Sequence, residues 1–221
     1  ASCMVSCGDA DGAVTGNTRR YGASLEKIKK VIEPRPGEIM FGLNMIVNKG
    51  KTVFIGDTSV HEYPSSEQLA EIAISTSRVV RLFGFDPKVA FVSHSTFGQP
   101  LTSRTKHIKN AVDILKEKNV DFEFDGDMQP DVALNEQYKE LYPFSSIVGN
   151  ANILIMPGQH SAAISYKMMR ELGGAKVIGP LLVGLAQPIE IAPLRSSTSD
   201  ILNLASVAAY SAGVIDYNKK N

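Results

Sequence analysis

The chain has 221 residues, of which 43% are hydrophobic and 21% charged, and 23 basic side chains balance 23 acidic ones. That length buries a real core, as one large domain or two modest ones, and the composition is that of an ordinary soluble protein. A formal net charge of zero gives extended nucleic-acid binding no electrostatic support, and the apolar runs fall short of a membrane span.

Residues 1–8 lack the charged and long apolar regions of a signal peptide. They read as the inside of a helix, followed at once by Gly8-Asp-Ala-Asp-Gly12. The expectation is a chain that starts in mid-domain, as a fragment of a longer polypeptide. Cys3 and Cys7 suggest no disulfide framework. Without further cysteines or a nearby histidine they read as two small buried residues, in a reducing, cytoplasmic protein.

Ala13 to Thr15 is a short strand, and Leu25, Ile28, Val31 and Ile32 give a helical period closed by Pro34 and Pro36-Gly37. Met40 to Val47 and Thr52 to Ile55 flank Asn48-Lys-Gly-Lys51 as a β-hairpin. Ser65 and Gln68 form a capping box for a helix carrying Leu69, Ile72, Ala73, Val79, Val80 and Phe83 to a stop at Gly84. Lys88 to Ser95 is a strand, and Ile108, Ala111, Val112 and Leu115 mark the next helix. Asp121 to Asp125 is a further strand leading into a loop from Gly126, Tyr138 to Tyr142 is helical, and Pro143 to Gly149 is a loop.

Ile153 to Met156 is a short apolar run, as in a strand covered on both faces. Ala162, Ala163, Ile164, Met168, Met169 and Leu172 make the apolar face of a helix ended by Gly173-Gly174. Val177 to Leu185 is again apolar, with turns or close approaches at Gly179-Pro180 and Gly184. Ile201, Leu204, Ala205, Ala208 and Ala209 line a last helix before a polar tail from Asp216 to Asn221. Strands and helices alternate after residue 85, which argues for a three-layer α/β/α architecture with ligands near the carboxyl ends of its parallel strands.

Three features carry candidate chemistry. The loop Ser93-His-Ser-Thr-Phe-Gly98 follows a strand with three hydroxyls and a glycine, a set suited to a phosphate or carbonyl oxygen. Asp125, Asp127 and Asp131 form an acidic cluster, readable as a metal site or general base and equally as a solvated turn. Of the histidines, His61 and His107 have no partner in local sequence, and His94 and His160, which follow strands, are the better candidates, with a structural role the leading reading for either. Asp200, three residues after Ser197 and ahead of an apolar helix, is explained as a capping box without any catalysis.

Taken in order, Gly8-Asp-Ala-Asp-Gly12, Ser93 to Gly98, Asp125 to Asp131, Leu172-Gly-Gly, Ile178-Gly-Pro-Leu-Leu-Val-Gly-Leu185 and Asp200-Ile-Leu-Asn203 resemble the phosphate acetyltransferase/butyryltransferase family over nearly the whole chain. Thr18-Arg-Arg-Tyr21, Asp57-Thr-Ser-Val-His61 and Ser95-Thr-Phe-Gly98 are similar to one branch, the phosphotransacetylase-like carboxy-terminal domain of bacterial NADP-dependent malic enzymes. The resemblance implies the fold related to isocitrate and isopropylmalate dehydrogenases, with two subdomains and a cleft between them. On this reading residues 1–84 and 185–221 form subdomain I and residues 85–184 subdomain II. It also implies a homo-oligomer, a dimer built through this domain.

In acetyl-transferring members an aspartate assists deprotonation of the coenzyme A thiol, and a serine-arginine pair ahead of the last helix holds acetyl phosphate. Asp200 falls on that aspartate, but the pair's positions hold Pro193 and Leu194, with Arg195 one residue late. A family arginine in the first helix falls near Glu26. Losing a phosphate-clamping arginine removes charge-assisted hydrogen bonds, and a glutamate adds repulsion.

The leading expectation is therefore a non-catalytic domain that binds acetyl-CoA or CoA as an allosteric effector and holds subunits together. Its ligand would lie against Ser93, Ser95, Thr96, Gly98, Asp127, Gly179, Pro180, Arg195 and Asp200, with no metal. NADP and a divalent metal would belong to the malic enzyme catalytic domains of the same polypeptide, which convert malate to pyruvate and carbon dioxide. The alternatives are an active phosphate acetyltransferase, in which Asp200 and Arg195 are catalytic, and a structural dimerisation module.

Overall fold

The computed structural model describes residues 1–220, leaving aside the side chains of Arg104, Lys139 and residues 216–220. In chain order the elements are α1 (Ser2–Cys7), β1 (Ala13–Gly16), α2 (Tyr21–Lys29), β2 (Phe41–Asn48), β3 (Lys51–Gly56), α3 (Ser66–Leu82), β4 (Lys88–Val92) and α4 (Ser103–Glu117). They continue as β5 (Glu123–Met128), α5 (Pro130–Leu134), α6 (Glu136–Lys139), β6 (Ile153–Ile155), α7 (Gln159–Gly173), β7 (Lys176–Val183), β8 (Ile189–Ala192) and α8 (Thr198–Lys220).

The chain divides into two compact units, Ala1–Gly42 with Ile178–Asn221, and Leu43–Val177. This boundary differs from the expected one: residues 43–84 join the second unit and residues 178–184 the first. The reason is strand pairing. β3 pairs in parallel with β6, Phe54 to Ile153 through Gly56 to Ile155, so the hairpin and the helix after it cannot leave that sheet. The alternation visible after residue 85 does not reveal this non-local partner.

In the second unit the strands run in the order β5-β4-β6-β3-β2. β3, β6, β4 and β5 are parallel, and β2 returns antiparallel as a hairpin partner of β3. Alternate side chains supply the two faces. Phe54, Val89, Phe91, Ile153 and Ile155 are buried on the side of α3 and α4, where Phe54 stacks on Phe83 with ring centres 6.0 Å apart. Ile55, Ala90, Val92, Leu154 and Met156 meet Val132 and Ala133 of α5 and Ala162 of α7 on the other. The result is the expected three-layer α/β/α arrangement, its parallel strands buried on both faces.

In the first unit β1 and β8 pair in parallel, Ala13 to Ile189 through Gly16 to Ala192. Leu25 and Ile28 of α2, and Leu204 and Ala208 of α8, are buried where these helices pack on the strand pair.

Several local expectations need correction. β5 runs on to Met128, because Asp125, Gly126 and Met128 pair with Ala90, Phe91 and Val92 of β4. β8 has no counterpart in the sequence reading, since the buried Glu190 interrupts an otherwise apolar run. Cys3 and Cys7 are exposed free thiols: the single buried residue of α1 is Val5. On α7 the packed residues are Ala162, Tyr166 and Met169, whereas Ile164, Met168 and Leu172 are exposed on a separate stripe. The last helix continues to Lys220, and the rest of the expected polar tail, Asn221, lies outside the described residues. Among the described residues no helix is long and apolar enough to cross a membrane.

Candidate functional site

The carboxyl ends of β3, β4, β5 and β6 carry two loops that aspartates hold in shape. After β4, Ser93 turns back to donate its N–H to the Met128 carbonyl at 2.9 Å, and Ser95 becomes fully buried. Asp127, 2% exposed, accepts the Ser95 hydroxyl on Oδ2 and the Gly98 N–H on Oδ1 at 2.9 Å. Its own carbonyl takes the Phe97 N–H at 2.6 Å. Gly98 has φ +78°, where a side chain is unfavourable, and the Phe97 ring packs on Phe144 with centres 4.8 Å apart. Thr96 Oγ1 accepts the Gln129 N–H at 3.3 Å, and Gln129 Nε2 donates to the His94 carbonyl at 2.9 Å.

Asp127 is therefore a buried anchor whose two oxygens serve the loop itself. Its placement needs Gly126: at φ +153° a Cβ there would lie 2.7 Å from the Phe91 side chain. Ser93 hydroxyl sits 3.3 Å from Ser95 Oγ, with Thr96 half-buried and His94 exposed. A small polar loop of this kind, held by its own hydrogen bonds at the ends of parallel strands, suits recognition of a polar ligand group.

The loop after β3 repeats the device. Asp57, 2% exposed, accepts the N–H groups of Ser59 (2.9 Å) and Val60 (3.1 Å) on Oδ1 and of His61 (2.7 Å) on Oδ2. His61 Nδ1 lies 2.8 Å from the same Oδ2, so His61 does have a local partner, four residues back on a tight turn. Gly56–Asp57 and Gly126–Asp127 are both cis peptide bonds. His107 bonds the Pro64 carbonyl at 2.8 Å and Ser66 Oγ at 3.0 Å, and His160 faces Glu62 at 3.3 Å in an exposed pair.

The acidic cluster is explained by backbone. Asp125 takes the Gly126 and Ser146 N–H groups at 2.9 and 2.7 Å, and Asp131 takes the N–H of Val132 at 3.0 Å. Three carboxylates held this way act as loop and helix anchors.

The remaining candidates belong to the first unit. Gly179, at φ +127°, precedes the buried Pro180 within β7. Arg195 is exposed and itself left-handed, at φ +66°. Asp200 is exposed and closes a capping box: Ser197 donates its N–H (2.9 Å) and hydroxyl (2.8 Å) to Oδ2, and Ser197 Oγ accepts the Asp200 N–H at 3.2 Å. The structure thus joins Ser93, Ser95, Thr96, Gly98 and Asp127 in one loop system. It keeps Gly179, Pro180, Arg195 and Asp200 in the other unit.

One ionisable residue escaped the sequence reading. Glu190, 4% exposed between Ile189 and Ile191 on β8, accepts the Leu182 N–H at 2.8 Å. Burial pushes its carboxyl up to about 8, against the smaller opposing effect of that hydrogen bond. The signal was a lone acid in an apolar strand run.

A match to the family described as phosphate acetyl/butaryl transferase covers residues 1–209. The chain belongs to that family. It is 48% identical over 213 residues to an NADP-dependent malic enzyme of Rhizobium meliloti, covering 96% of this chain and 28% of the relative. It is 33% identical to a phosphate acetyltransferase of Clostridium acetobutylicum, covering 96% of this chain and 66% of that protein. Among solved structures, a phosphotransacetylase from Streptococcus pyogenes superposes with TM-score 0.88 at 30% identity, over 95% of this chain and 65% of the other. The EutD phosphotransacetylase from Staphylococcus aureus gives 0.86 at 28%, over 96% and 66%. The chain therefore spans under a third of the malic enzyme and about two thirds of the transferases.

Proposed function

We propose that this chain is the phosphotransacetylase-like part of an NADP-dependent malic enzyme, and that it binds acetyl-CoA as an effector without transferring acetyl groups. The observation that carries this reading is the approach to α8. Pro193 and Leu194 stand where the family resemblance expects the serine and arginine that hold acetyl phosphate, and Asp200 Oδ2 is engaged by Ser197. A proline and a leucine offer a phosphoryl group neither charge nor a side-chain hydrogen bond.

The polar loop from Ser93 to Gly98 supports retained ligand binding, because it keeps small hydroxyl side chains and a glycine at the carboxyl end of a parallel strand. Regulation then requires that acetyl-CoA bind one quaternary state more tightly than another. The exposed stripe of Ile164, Met168 and Leu172 on α7 suits a contact between two copies, consistent with a dimer through this domain. NADP, the divalent metal and the conversion of malate to pyruvate and carbon dioxide belong to catalytic domains of the longer polypeptide.

The second reading, an active phosphate acetyltransferase, is favoured by the 33% identity to such an enzyme and by Arg195 lying exposed five residues ahead of Asp200. A coupled assay with acetyl phosphate and coenzyme A, read beside calorimetric titration with acetyl-CoA, separates the two. It should be run on this chain and on the complete malic enzyme. Saturable acetyl-CoA binding without acetyl-CoA formation is the expected result. Robust turnover by either protein returns Asp200 to a catalytic role, and absence of both signals from the longer protein leaves a structural module.

A further inference from the structure

The first unit leaves one edge of its strand pair and one side of its last helix uncovered. Among the described residues β1 pairs with β8 alone. Ala13 donates its N–H to the Pro188 carbonyl at 3.1 Å, and Asn17 donates to Ala192 at 2.8 Å. The alternation of a parallel ladder therefore turns the N–H and C=O of Val14 to the opposite edge. A free edge of this kind is a template for a further strand. Beside it runs a groove of about 600 Å³, between Gly12 to Val14 on one side and Ala205, Ala209 and Ala212 of α8 on the other.

α8 shows the same gap. Its Leu204 and Ala208 are buried, while Leu202, Ala205, Ala209 and Gly213 are exposed at helical spacings of one stripe. From Ile201 to Ile215 no residue is charged. A helix that is apolar all round belongs in an interior, yet only one of its faces is packed. A Cβ added at Gly213 would meet nothing within 4 Å, so another backbone has room to come close.

Length and topology together name the occupant. About a third of each solved transferase lies outside its match to this chain. A strand parallel to β1 must reach it through a crossover, usually a helix, and α1 is the helix that enters β1, through a connection whose Ala10 and Asp11 line the groove. A strand ahead of α1 makes a right-handed βαβ unit with β1. We infer that the polypeptide immediately ahead of Ala1 in the longer protein docks here, adding a parallel strand to the free edge of β1 and filling the groove against α8 with aliphatic side chains. This rests on the reading of the chain as part of a longer malic enzyme, and it is independent of acetyl-CoA.

Hydrogen exchange, read residue by residue with mass spectrometry on this chain and on the complete malic enzyme, tests the edge. The Val14 amide should exchange at least about tenfold more slowly in the longer protein, equivalent to 1.4 kcal/mol. The Thr15 amide, which faces β8 in both, is the reference. Ala209→Trp tests the groove: it should leave the urea midpoint of this chain unchanged and lower that of the longer protein. Equal Val14 exchange relative to Thr15 in the two proteins overturns the proposal, as does a longer protein that tolerates Ala209→Trp. Val14 protection in this chain alone that rises with its concentration puts a second copy on the edge and overturns it too. Malate turnover with NADP and a divalent metal, measured on the same longer protein, separates the two levels. Turnover with an uncovered edge sinks this inference alone, and absence of turnover sinks the reading on which it rests.

Discussion

At the scale of single residues, the loop after β4 depends on one carboxylate. Asp127 accepts the Ser95 hydroxyl and the Gly98 N–H while almost wholly buried, and hydrogen bonds to a charged acceptor are the stronger kind. Ser95→Ala removes one donor and leaves part of a buried charge unsatisfied. The expected cost is about 1–3 kcal/mol of stability, measured by urea unfolding, together with weaker acetyl-CoA binding if the loop meets that ligand. Unchanged stability would mean that water replaces the Ser95 hydroxyl at Asp127. Asp200 behaves differently, because it is exposed and its partner is the neighbouring Ser197. Asp200→Ala should cost no more than a cap, about 0.5–2 kcal/mol, measured by urea unfolding, and should weaken acetyl-CoA binding if the carboxylate meets that ligand; unchanged affinity would leave Asp200 a cap alone.

At the scale of elements, local chemistry explains what the sequence revealed. The capping box of α3 was legible because Ser65 and Gln68 are three residues apart, and both reciprocal bonds form, at 3.2 and 2.8 Å. Ser65→Ala should cost about 1 kcal/mol, seen as a lowered denaturant midpoint with an unchanged slope; no shift would show that α3 is held by packing alone. The hairpin, α4 and the Ser197–Asp200 box were legible for the same reason, each being set by residues close in sequence. What stayed hidden depended on distant partners. The pairing of β3 with β6 moved a subdomain boundary, and the continuation of β5 through Gly126 and Asp127 followed from its neighbour β4. On α7 the apolar period was real, yet periodicity cannot say which of two apolar stripes packs. Of the candidate site, the 93–98 loop was found from its residue types, but the role of Asp127 as its anchor required the fold to bring position 127 beside position 95.

At the scale of the whole molecule, protons bound in the folded and unfolded states must balance. Glu190 has its carboxyl pushed up from the ordinary 4.5 to about 8 by burial, so between those values the folded chain keeps a proton that the unfolded chain has released. Stability rises with pH where the unfolded state binds more protons, and here the inequality is reversed. The contribution is fully present below about pH 4.5 and is lost as pH rises through about 8, at no more than about 1.4 kcal/mol per pH unit. Glu190→Gln keeps a carbonyl oxygen for the Leu182 N–H and removes the titration. Unfolding free energies of the two proteins should therefore diverge with rising pH, the variant holding its stability at about pH 9 where the parent has weakened. Parallel curves across that range would mean that the unfolded and folded carboxyls titrate alike, and that β8 opens to water around Glu190.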